Sequence, residues 1–483
     1  MKIFNSITPQ PVDVVIASVP WTMTTFPLLA PSILKSIAVK EGHTAVGLDC
    51  NANAIKWVEN HPHGDKIIDF FHNETYHEEI LEDLYNFFKE FAEMLLAHQP
   101  KVVALSLMTY VCQPSTRYLC YFLKRLQPNV VVVIGGPGGL ENLRGHSTFS
   151  DELRDSGLID HYIRGDGEKS FAAFLRNDYT FPGINNADWQ LLTNEELDSF
   201  PYPDYDNYNF ELYNFQCLPM LASRGCVRKC KFCDVIEHWK KFSWRDGASV
   251  FQEMLTQYKR YGIRNFKFQD SLINGNLKEY KKLITLLAEY NQANPEESFT
   301  WSSFFIFRPT GAFGEEWWEL TAKSGAKWLN IGIESVVEPI RYHMGKHFSN
   351  EDIDFSLQMG RKYGIQFVWL MIVGYVTETQ KDIDYTAQWF RDHVEYQDIM
   401  KIQFGGTLGI FPNTWLDRHK EELNVISFGP PYQKWNNPVI GSTPELRAEW
   451  HRYLSQTCKD LGYQLFEDID NHYILELLMN GHV

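Results

Sequence analysis

Two series of alternating strands and helices occupy most of this chain of 483 residues. In each series, short apolar runs rich in β-branched residues precede segments whose apolar residues recur at helical spacing. This alternation is typical of parallel sheets, because two parallel neighbours need a crossover connection between them, usually a helix. A stretch dense in Pro, Asp, Asn and Tyr separates the two series. The sequence therefore predicts two α/β domains.

The first series covers residues 1–180 and predicts a doubly wound parallel sheet of the Rossmann kind. Residues 51–77 lose both periodicities and are predicted to form an insertion or lid. Polar residues at strand ends are where open α/β sheets meet their ligands, and Asp49-Cys-Asn51 follows the second predicted strand. The predicted strands lie at residues 12–18, 43–48, 101–107, 129–134 and 160–163.

A glycine cluster, Gly135-Gly-Pro-Gly-Gly139, follows the fourth predicted strand. Glycine lets a ligand approach the backbone closely, because it has no side chain. Gly135 and Gly136 lack the spacing and the position of a dinucleotide fingerprint, which should follow the first strand. They are candidate ligand contacts, and turn formation without a ligand is the alternative.

Residues 181–215 are predicted to be an interdomain linker, since Pro and Asx residues break both periodicities there. The second series, residues 216–420, contains six predicted strands and predicts a (β/α)6 partial barrel. Residues 421–483 are predicted to form a small helical cap with helices at residues 444–461 and 471–478. In barrels of this kind the ligand site lies at the carboxyl ends of the strands. The residues predicted at those ends are Asp270, Glu334, Ser335 and Gly374.

Three cysteines lie directly behind the first strand of the second series, at Cys226, Cys230 and Cys233. Three thiolates are one short of the four that a tetrahedral zinc or a fully thiolate-held cluster needs. A 4Fe-4S cluster on three cysteines leaves one iron open to bind substrate. A structural zinc site is the alternative, with Cys217 or His238 as fourth ligand.

Composition narrows the classes of partner and compartment. Asp and Glu number 61 against 45 Lys and Arg, which argues against a nucleic-acid partner. The N-terminal stretch lacks the apolar core and cleavage site of a signal peptide, and no run of about eighteen apolar residues predicts a membrane span. We expect a cytoplasmic protein whose remaining cysteines are buried and reduced: Cys50, Cys112, Cys120, Cys217 and Cys458.

The Cys-x3-Cys-x2-Cys spacing, with Phe232 before the last Cys, resembles the signature of the radical S-adenosylmethionine enzymes. In that family the amino and carboxylate groups of S-adenosylmethionine chelate the open iron, and reductive cleavage gives a 5'-deoxyadenosyl radical. The resemblance implies an electron donor such as flavodoxin or ferredoxin. It covers about residues 218–415 and includes Ser223-Arg-Gly-Cys, Phe268-Gln-Asp270, Gly332-Ile-Glu-Ser335 and Gly374-Tyr-Val-Thr-Glu-Thr379.

The resemblance also implies roles for the strand-end residues. Glu334, with Ser335, is expected to hold ribose hydroxyls of S-adenosylmethionine, and Asp270 to orient its methionine amino group. Gly374 is expected to admit the adenine, and Phe232 to contact the cofactors. The alternatives are an ion pair of Glu334 with Lys327 or Lys346 and a helix N-cap for Asp270.

The first domain resembles the cobalamin-binding domain that precedes many radical S-adenosylmethionine domains. In such domains the loops after the first, third and fourth strands hold the corrin and its nucleotide tail. Here those loops are Pro20-Trp-Thr22, residues 106–110 with Thr109, and residues 135–138 with Gly135 and Gly136. The Asp-x-His-x-x-Gly motif that supplies a lower cobalt ligand in several cobalamin proteins is absent, so no lower ligand is assigned.

Together the resemblances imply a cobalamin-dependent radical S-adenosylmethionine enzyme. Methyl transfer is the commonest reaction of that family, so we expect a methyltransferase that acts on an unactivated carbon of a small molecule or peptide. Two other classes stay open. A methylthiotransferase needs a second set of cluster cysteines, and Cys50, Cys112 and Cys120 are not spaced as a motif. A non-catalytic corrinoid or iron-sulfur sensor would hold a cluster without cleaving S-adenosylmethionine. No motif identifies the substrate.

Overall fold

The computed structural model describes residues 3–4, 8–22, 26–139, 148–186, 188–213, 216–405, 407–428 and 432–465. The chain forms two compact units, Met1–Gln216 and Cys217–Val483. The helix predicted at residues 471–478 lies outside the described residues. Within the described ranges, no helix is long and apolar enough to cross a bilayer.

Unit 1 contains the predicted parallel sheet, with strand order β2-β1-β3-β4-β5. All residues of β1 are buried, as expected for a strand that has helices on both faces. The strand order reverses between β1 and β3, and this switch point is where open α/β sheets form a ligand crevice. The strands are β1 Val14–Ser18, β2 Ala45–Leu48, β3 Val102–Ser106, β4 Val131–Gly135 and β5 His161–Ile163.

The helices of unit 1 include two in the region predicted as an insertion. Asp49 caps the first of them by accepting a hydrogen bond from the Asn51 amide at 3.1 Å. The second buries Ile67, Phe70 and Phe71 on one face, and the polar residues between these positions obscured the helical period. The helices are α1 Leu29–Lys40, α2 Cys50–Glu59, α3 Gly64–Asn73, α4 Leu81–Leu96, α5 Gln113–Leu126, α6 Phe149–Asp155, α7 Gly167–Leu175 and α8 Asn194–Asp198.

The segment predicted as a linker packs on unit 1 in its described part. Lys35 forms an ion pair with Asp204 at 2.7 Å. The Tyr213 hydroxyl donates to an Asp49 carboxylate oxygen at 2.8 Å. Pro and Asx residues remove the periodicity of this segment, but its long-range polar contacts hold it against the sheet. The segment therefore belongs to the first compact unit, which ends at Gln216.

Unit 2 contains a parallel sheet of order β16-β13-β12-β11-β10-β9-β6. Six of these strands are those predicted for the partial barrel, and β16 adds a further strand from the region predicted as a purely helical cap. The strands are β6 Leu218–Met220, β7 Ser223–Arg224, β8 Ser243–Trp244, β9 Asn265–Phe268, β10 Thr300–Phe305, β11 Ala326–Glu334, β12 Gln366–Met371, β13 Met400–Phe404, β14 Ile426–Ser427, β15 Trp435–Asn436 and β16 Gln464–Leu465.

Helices cover the outer face of this sheet. The ring of Trp301 on β10 contacts Tyr280, and the ring of Trp369 on β12 stacks on Trp389. Successive residues of a strand alternate between faces. The strand neighbours of Trp301 and Trp369 therefore face the barrel interior, here called the lumen. The helices are α9 Val235–Trp239, α10 Gly247–Tyr261, α11 Leu277–Ala293, α12 Glu315–Lys323, α13 Glu338–His343, α14 Asn350–Tyr363, α15 Gln380–Asp392, α16 Trp415–Arg418 and α17 Pro444–Asp460.

Candidate functional site

The cysteine loop follows β7 at Gly225, whose φ of +72° lets the chain turn sharply. A turn within the loop joins the Cys233 amide to the Cys230 carbonyl at 3.1 Å. The Lys231 amide donates to the carbonyl of Met344, just beyond α13, at 3.0 Å. All three cysteines of the loop are partly exposed, whereas the other five of the chain are buried. The structure thus presents these three sulfurs, and not the others, toward a ligand.

Two thiols of this loop, Cys230 and Cys233, are weak acids without a metal. Burial raises the pKa of Cys230 and raises the pKa of Cys233 to about 12. Both are therefore protonated at neutral pH unless a metal displaces the proton. Among the described residues, no three His, Cys, Asp or Glu side chains are grouped to hold one metal ion. A 4Fe-4S cluster binds each cysteine to a different iron and needs no such convergence, so the donor set fits a cluster better than zinc.

Of the two fourth ligands predicted for a zinc site, Cys217 is a buried thiol. Cys217 is only 3% exposed, and burial raises the pKa of its thiol to about 12. It therefore lies in the protein interior as a neutral thiol, whereas the loop thiols are partly exposed. The side chain of His238 lies outside the described part of the structure.

Asp270, just beyond β9, is fully buried. One carboxylate oxygen accepts from the Ala222 amide at 3.0 Å, and the other accepts from the Ser223 hydroxyl at 2.6 Å. Burial raises the pKa of Asp270 to about 6. Both oxygens hold the segment that leads into the cysteine loop, so these contacts support a positioning role. The N-cap alternative was wrong, because Asn276 caps the following helix.

Glu334 ends β11 with a φ of +63°, which is rare for a residue other than glycine. The Lys346 ammonium donates to Glu334 Oε1 at 2.8 Å and to the Gly332 carbonyl at 2.7 Å. Burial alone would lower the pKa of Lys346, but the Glu334 carboxylate outweighs it and raises the pKa. Ser335 is buried, and its hydroxyl accepts from the Val337 amide at 3.1 Å. The predicted ion pair of Glu334 is therefore present at the strand end expected to bind ribose.

Gly374 makes room for protein instead of leaving open space. Its φ is +80°, and a Cβ at this position would overlap the side chain of Arg447. The guanidinium of Arg447 in turn lies 3.6 Å from the ring centroid of Trp435. The amide of Gly374 donates to Glu378 at 2.6 Å. The contact with adenine stays a prediction, and the structure supplies a separate reason for the glycine.

The glycine cluster of unit 1 brings the loops after β3 and β4 together. A Cβ on Gly136, whose φ is +106°, would overlap the carbonyl of Leu107. A Cβ on Gly138 would overlap the carbonyl of Thr109. At Gly135 a Cβ would make only ordinary contacts, the nearest at 3.6 Å. Loop packing therefore explains Gly136 and Gly138, whereas Gly135 has room for a Cβ and its contact with a ligand stays a prediction.

The loop after β1 is held by the Asp-x-Asn segment. The Asn51 side chain accepts from the Thr22 amide at 2.9 Å and donates to the Thr22 carbonyl at 3.0 Å. Trp21 is only 4% exposed and stacks on Phe71, with ring centroids 5.2 Å apart. Trp21 is therefore a core residue of unit 1, and Asn51 fixes the loop that the sequence predicted to touch a corrin.

Comparison with known proteins finds a family model that matches part of the barrel. The family model of the Radical SAM superfamily matches residues 220–390, from the end of β6 into α15. An uncharacterized methyltransferase of Pyrococcus horikoshii is 25% identical over 324 residues, which are 62% of this chain and 66% of that protein. The barrel region, residues 220–390, is therefore similar to the radical S-adenosylmethionine superfamily.

Two further comparisons extend this likeness. The cytidylyl-2-hydroxyethylphosphonate methyltransferase of Streptomyces wedmorensis is 27% identical over 195 residues, covering 37% of this chain and 35% of its own length. The radical S-adenosylmethionine methyltransferase TsrM from Kitasatospora setae, solved with cobalamin and a [4Fe-4S] cluster, superposes with a TM-score of 0.65 at 16% identity. That match covers 98% of this chain and 96% of TsrM, so the two share their fold.

The loops after β3 and β4 carry one exposed apolar side chain beside side-chain-free backbone. Met108 is 45% exposed on the loop after β3, next to the partly exposed Thr109. Gly135 and Gly136 add no side chains at the neighbouring strand end. These loops, residues 20–22, 106–110 and 135–138, contain no histidine. A corrin held here would take no lower histidine ligand from them.

Proposed function

We propose that this protein is a cobalamin-dependent radical S-adenosylmethionine methyltransferase that acts on an unactivated carbon of a small molecule. One observation carries the proposal. Three partly exposed cysteines lie on a loop of a parallel barrel, in the same chain as a sheet of order β2-β1-β3-β4-β5. The methyltransferases among its relatives and the fold of TsrM support it.

In unit 2, Cys226, Cys230 and Cys233 would hold a 4Fe-4S cluster and leave one iron for S-adenosylmethionine. Glu334 has one oxygen on Lys346. Its second oxygen has no hydrogen bond from the residues that the structure describes, and it would accept from a ribose hydroxyl. Phe232 lies beside the same ammonium, 6.0 Å from ring centroid to Nζ. When bound, the cluster supplies the electron that cleaves S-adenosylmethionine, while these residues orient it and exclude water.

In unit 1, the loops with Thr109, Gly135 and Gly136 would hold cobalamin. Bound there, cobalamin supplies the methyl group for transfer to carbon. The loops are rigid before a ligand arrives, because the Leu107 amide donates to the Gly135 carbonyl at 2.8 Å and Gln113 donates to the Gly138 carbonyl at 2.8 Å. Such preorganisation lowers the cost of ordering a binding loop.

The remaining partners follow from this chemistry. An oxygen-sensitive cluster needs a reducing compartment, so we place the protein in the cytoplasm with flavodoxin or ferredoxin as electron donor. A TsrM structure holds its tryptophan substrate, which favours a small molecule over a peptide for this chain as well. The net charge of −16 argues against a nucleic-acid substrate.

The test is cofactor content after purification without oxygen. Iron, sulfide and corrinoid are measured per chain in the wild type and in a Cys226→Ala/Cys230→Ala/Cys233→Ala variant. We expect about four irons in the wild type, none in the variant, and one corrinoid in both. Zinc in place of iron would overturn the radical mechanism, and iron without corrinoid would overturn the cobalamin assignment.

Methyl transfer is tested separately by product analysis. Turnover with reductant and S-adenosylmethionine should give both 5'-deoxyadenosine and S-adenosylhomocysteine if the enzyme methylates through a radical. Formation of 5'-deoxyadenosine without S-adenosylhomocysteine would contradict methylation. A cluster without any cleavage of S-adenosylmethionine would contradict the proposed activity altogether.

A further inference from the structure

Two lysines face the lumen of unit 2. Lys267 lies on β9 and Lys401 on β13. On β13, Phe404 lies three residues beyond Lys401 and contacts Phe390 of the outer helix α15. On β9, Phe268 follows Lys267 directly and contacts the outward-facing Trp301. Since successive strand residues alternate between faces, both lysines lie on the opposite, inner face.

Both lysines lie near the level of Trp328 on the inner face of the sheet. The register places Lys267 beside Ser302, and Ser302 beside Trp328. The ammonium of Lys401 lies 4.5 Å from the ring centroid of Trp328. Adjacent strands are about 4.8 Å apart, so the Cα atoms of Lys267 and Trp328 lie about 10 Å apart across β10. Lys267 is level with Trp328 and Lys401 with Asn330, so the two lysines lie on the same face within two residues of one level.

Neither ammonium has an anionic partner among the residues that the structure describes. Lys401 is only 6% exposed and makes a cation–π contact, but no hydrogen bond or ion pair is present there for it or for Lys267. Burial lowers the pKa of each lysine to about 8. The ionisable neighbour of Lys267 is the Cys217 thiol, whose pKa burial raises to about 12. Lys267 is partly exposed, whereas Lys401 is buried, and a buried charge without a partner is costly to keep.

The rest of the lumen wall is neutral. In the described strands β9 to β13, the other inward-facing positions hold no Asp, Glu or Arg from the amino ends of the strands up to the level of Gly332 on β11. Phe304 projects into this space and is 40% exposed, although most large apolar residues of the sheet are covered. The chain as a whole carries a net charge of −16. The positive charge of Lys267 and Lys401, near the exposed ring of Phe304, is therefore local to the lumen and opposite in sign to the charge of the whole chain.

The distance to the candidate S-adenosylmethionine site sets the length of a ligand. Lys401 pairs with Val368, and Val368 pairs with Asn330. Glu334 lies four residues beyond Asn330 on the same strand. At about 3.3 Å per residue, Lys401 lies about 13 Å along the strands from Glu334, and Lys267, which is level with Trp328, lies about 20 Å from it. A group bound at the lysines would thus belong to an elongated molecule whose other end reaches the cofactors.

We propose that Lys267 and Lys401 form an oxyanion subsite in the lumen, which binds the carboxylate or phosphate end of the substrate while Phe304 contacts its apolar middle. This inference rests on the proposed function, which places the other end of the substrate beside the cofactors. Ammonium groups bind either oxyanion, because both offer several acceptor oxygens and negative charge. The subsite fixes the substrate at the end away from the chemistry.

The experiment measures equilibrium binding of inorganic phosphate and of acetate to the full-length, cofactor-loaded, oxidised protein. Variants are Lys267→Met, Lys401→Met and the double variant; Lys327→Met, an exposed lysine on β11, is the matched control. We expect saturable binding of at least one anion, weakened about tenfold or more by each lumen substitution and unchanged in the control. The tighter of the two anions identifies the oxyanion class.

Thermal unfolding separates this role from a structural one. If Lys401 serves the fold through Trp328, Lys401→Met lowers the unfolding midpoint; under our proposal the midpoint is unchanged or rises, because an unpaired buried charge is removed. Equal anion affinity in the wild type and double variant, or no saturable binding of either anion, would overturn the subsite. Iron and corrinoid are assayed on the same samples, so a failed proposed function shows as missing cofactor in the wild type.

Discussion

Glu334 combines two unfavourable features at the end of β11. Its positive φ costs of order 1–2 kcal/mol for a residue with a side chain, and the residue is only 9% exposed. The ion pair with Lys346 compensates the charge but engages only one of the two oxygens. A strained, half-satisfied carboxylate at a strand end is better explained by a ligand than by stability.

Replacing Glu334 by Gln should therefore weaken binding of S-adenosylmethionine more than it weakens the fold. A hydrogen bond to a charged acceptor contributes about 1.5–3 kcal/mol, so we expect a loss of about tenfold or more in affinity. Equilibrium dialysis with oxidised, cluster-loaded protein measures it without turnover. Glu351→Gln, an exposed site on α14, is the control, and equal affinity in the two variants would contradict the role.

Replacing Lys346 by Met should act on stability first. It leaves the buried Glu334 carboxylate without its partner, and breaking a buried pair in this way typically costs about 3–5 kcal/mol. We expect a lower unfolding midpoint than for Glu334→Gln, measured by thermal unfolding without oxygen. A midpoint equal to that of the wild type would show that the pair contributes little to the fold.

Glu378 predicts a pH dependence of stability. Burial raises its pKa from 4.5 to about 7, so between these values the unfolded chain has lost a proton that the folded chain keeps. Stability from this group is greatest below pH 4.5, falls as pH rises through this window, and is constant above it, a change of at most roughly 3 kcal/mol. Both amide donors, from Gly374 and Tyr375, use the same Glu378 oxygen, which a Gln can replace.

Glu378→Gln should therefore be as stable as the wild type near pH 4.5 and more stable at pH 8. Unfolding midpoints measured across this range provide the test. Glu422→Gln, on an exposed surface, removes the same charge and should run parallel to the wild type. A Glu378→Gln curve that is also parallel would contradict the raised pKa.

At the level of elements, the loops after β3 and β4 form one packed pair. Ala at Gly136 or Gly138 would overlap carbonyl oxygens of the β3 loop, whereas Ala at Gly135 meets only ordinary contacts. We expect Gly136→Ala and Gly138→Ala to destabilise unit 1 by about 1–3 kcal/mol and to lose corrinoid. Gly135→Ala should fold normally, and a reduced corrinoid affinity in this variant would mark a direct contact.

Unfolding and corrinoid titration of the three variants distinguish the two kinds of glycine. If the unfolding midpoint of Gly135→Ala is as low as that of Gly136→Ala, the inference that Gly135 has room for a Cβ is wrong. If all three variants bind corrinoid as the wild type does, these loops do not hold it.

The elements that the sequence predicted are those whose signal is local. Apolar runs and helical spacing were enough to predict β1 to β5 and the six barrel strands. The ends of those strands then placed Asp270, Glu334 and the cysteines in one region, because parallel strands share an edge. The ion pair of Glu334 with Lys346 was foreseen as an alternative, since both residues lie within one motif-bearing stretch.

The contacts that were missed join residues far apart in sequence. Arg447 fills the space beside Gly374 from a helix that no motif identifies. Asp49 was noted as a possible ligand residue, yet it caps α2 and accepts from Tyr213, deep in the segment predicted as a linker. Periodicity reports which face is apolar, but it cannot identify a hydrogen-bond partner 164 residues away.

At the scale of the whole molecule, each compact unit has its own sheet and its own buried core. Both units exceed 200 residues, a size at which a single core is normally self-sufficient. The candidate cluster loop lies in one unit and the candidate corrin loops in the other. The proposed cofactors should therefore load independently of one another.

Separate expression of Met1–Gln216 and Cys217–Val483 tests this independence. We expect the first fragment to take up corrinoid but no iron, and the second to take up about four irons but no corrinoid when reconstituted without oxygen. Cooperative thermal unfolding of each fragment is the control for folding. Because the fragments share no proposed ligand residue, two folded fragments that each need the other before either cofactor binds would contradict the assignment of one cofactor to each unit.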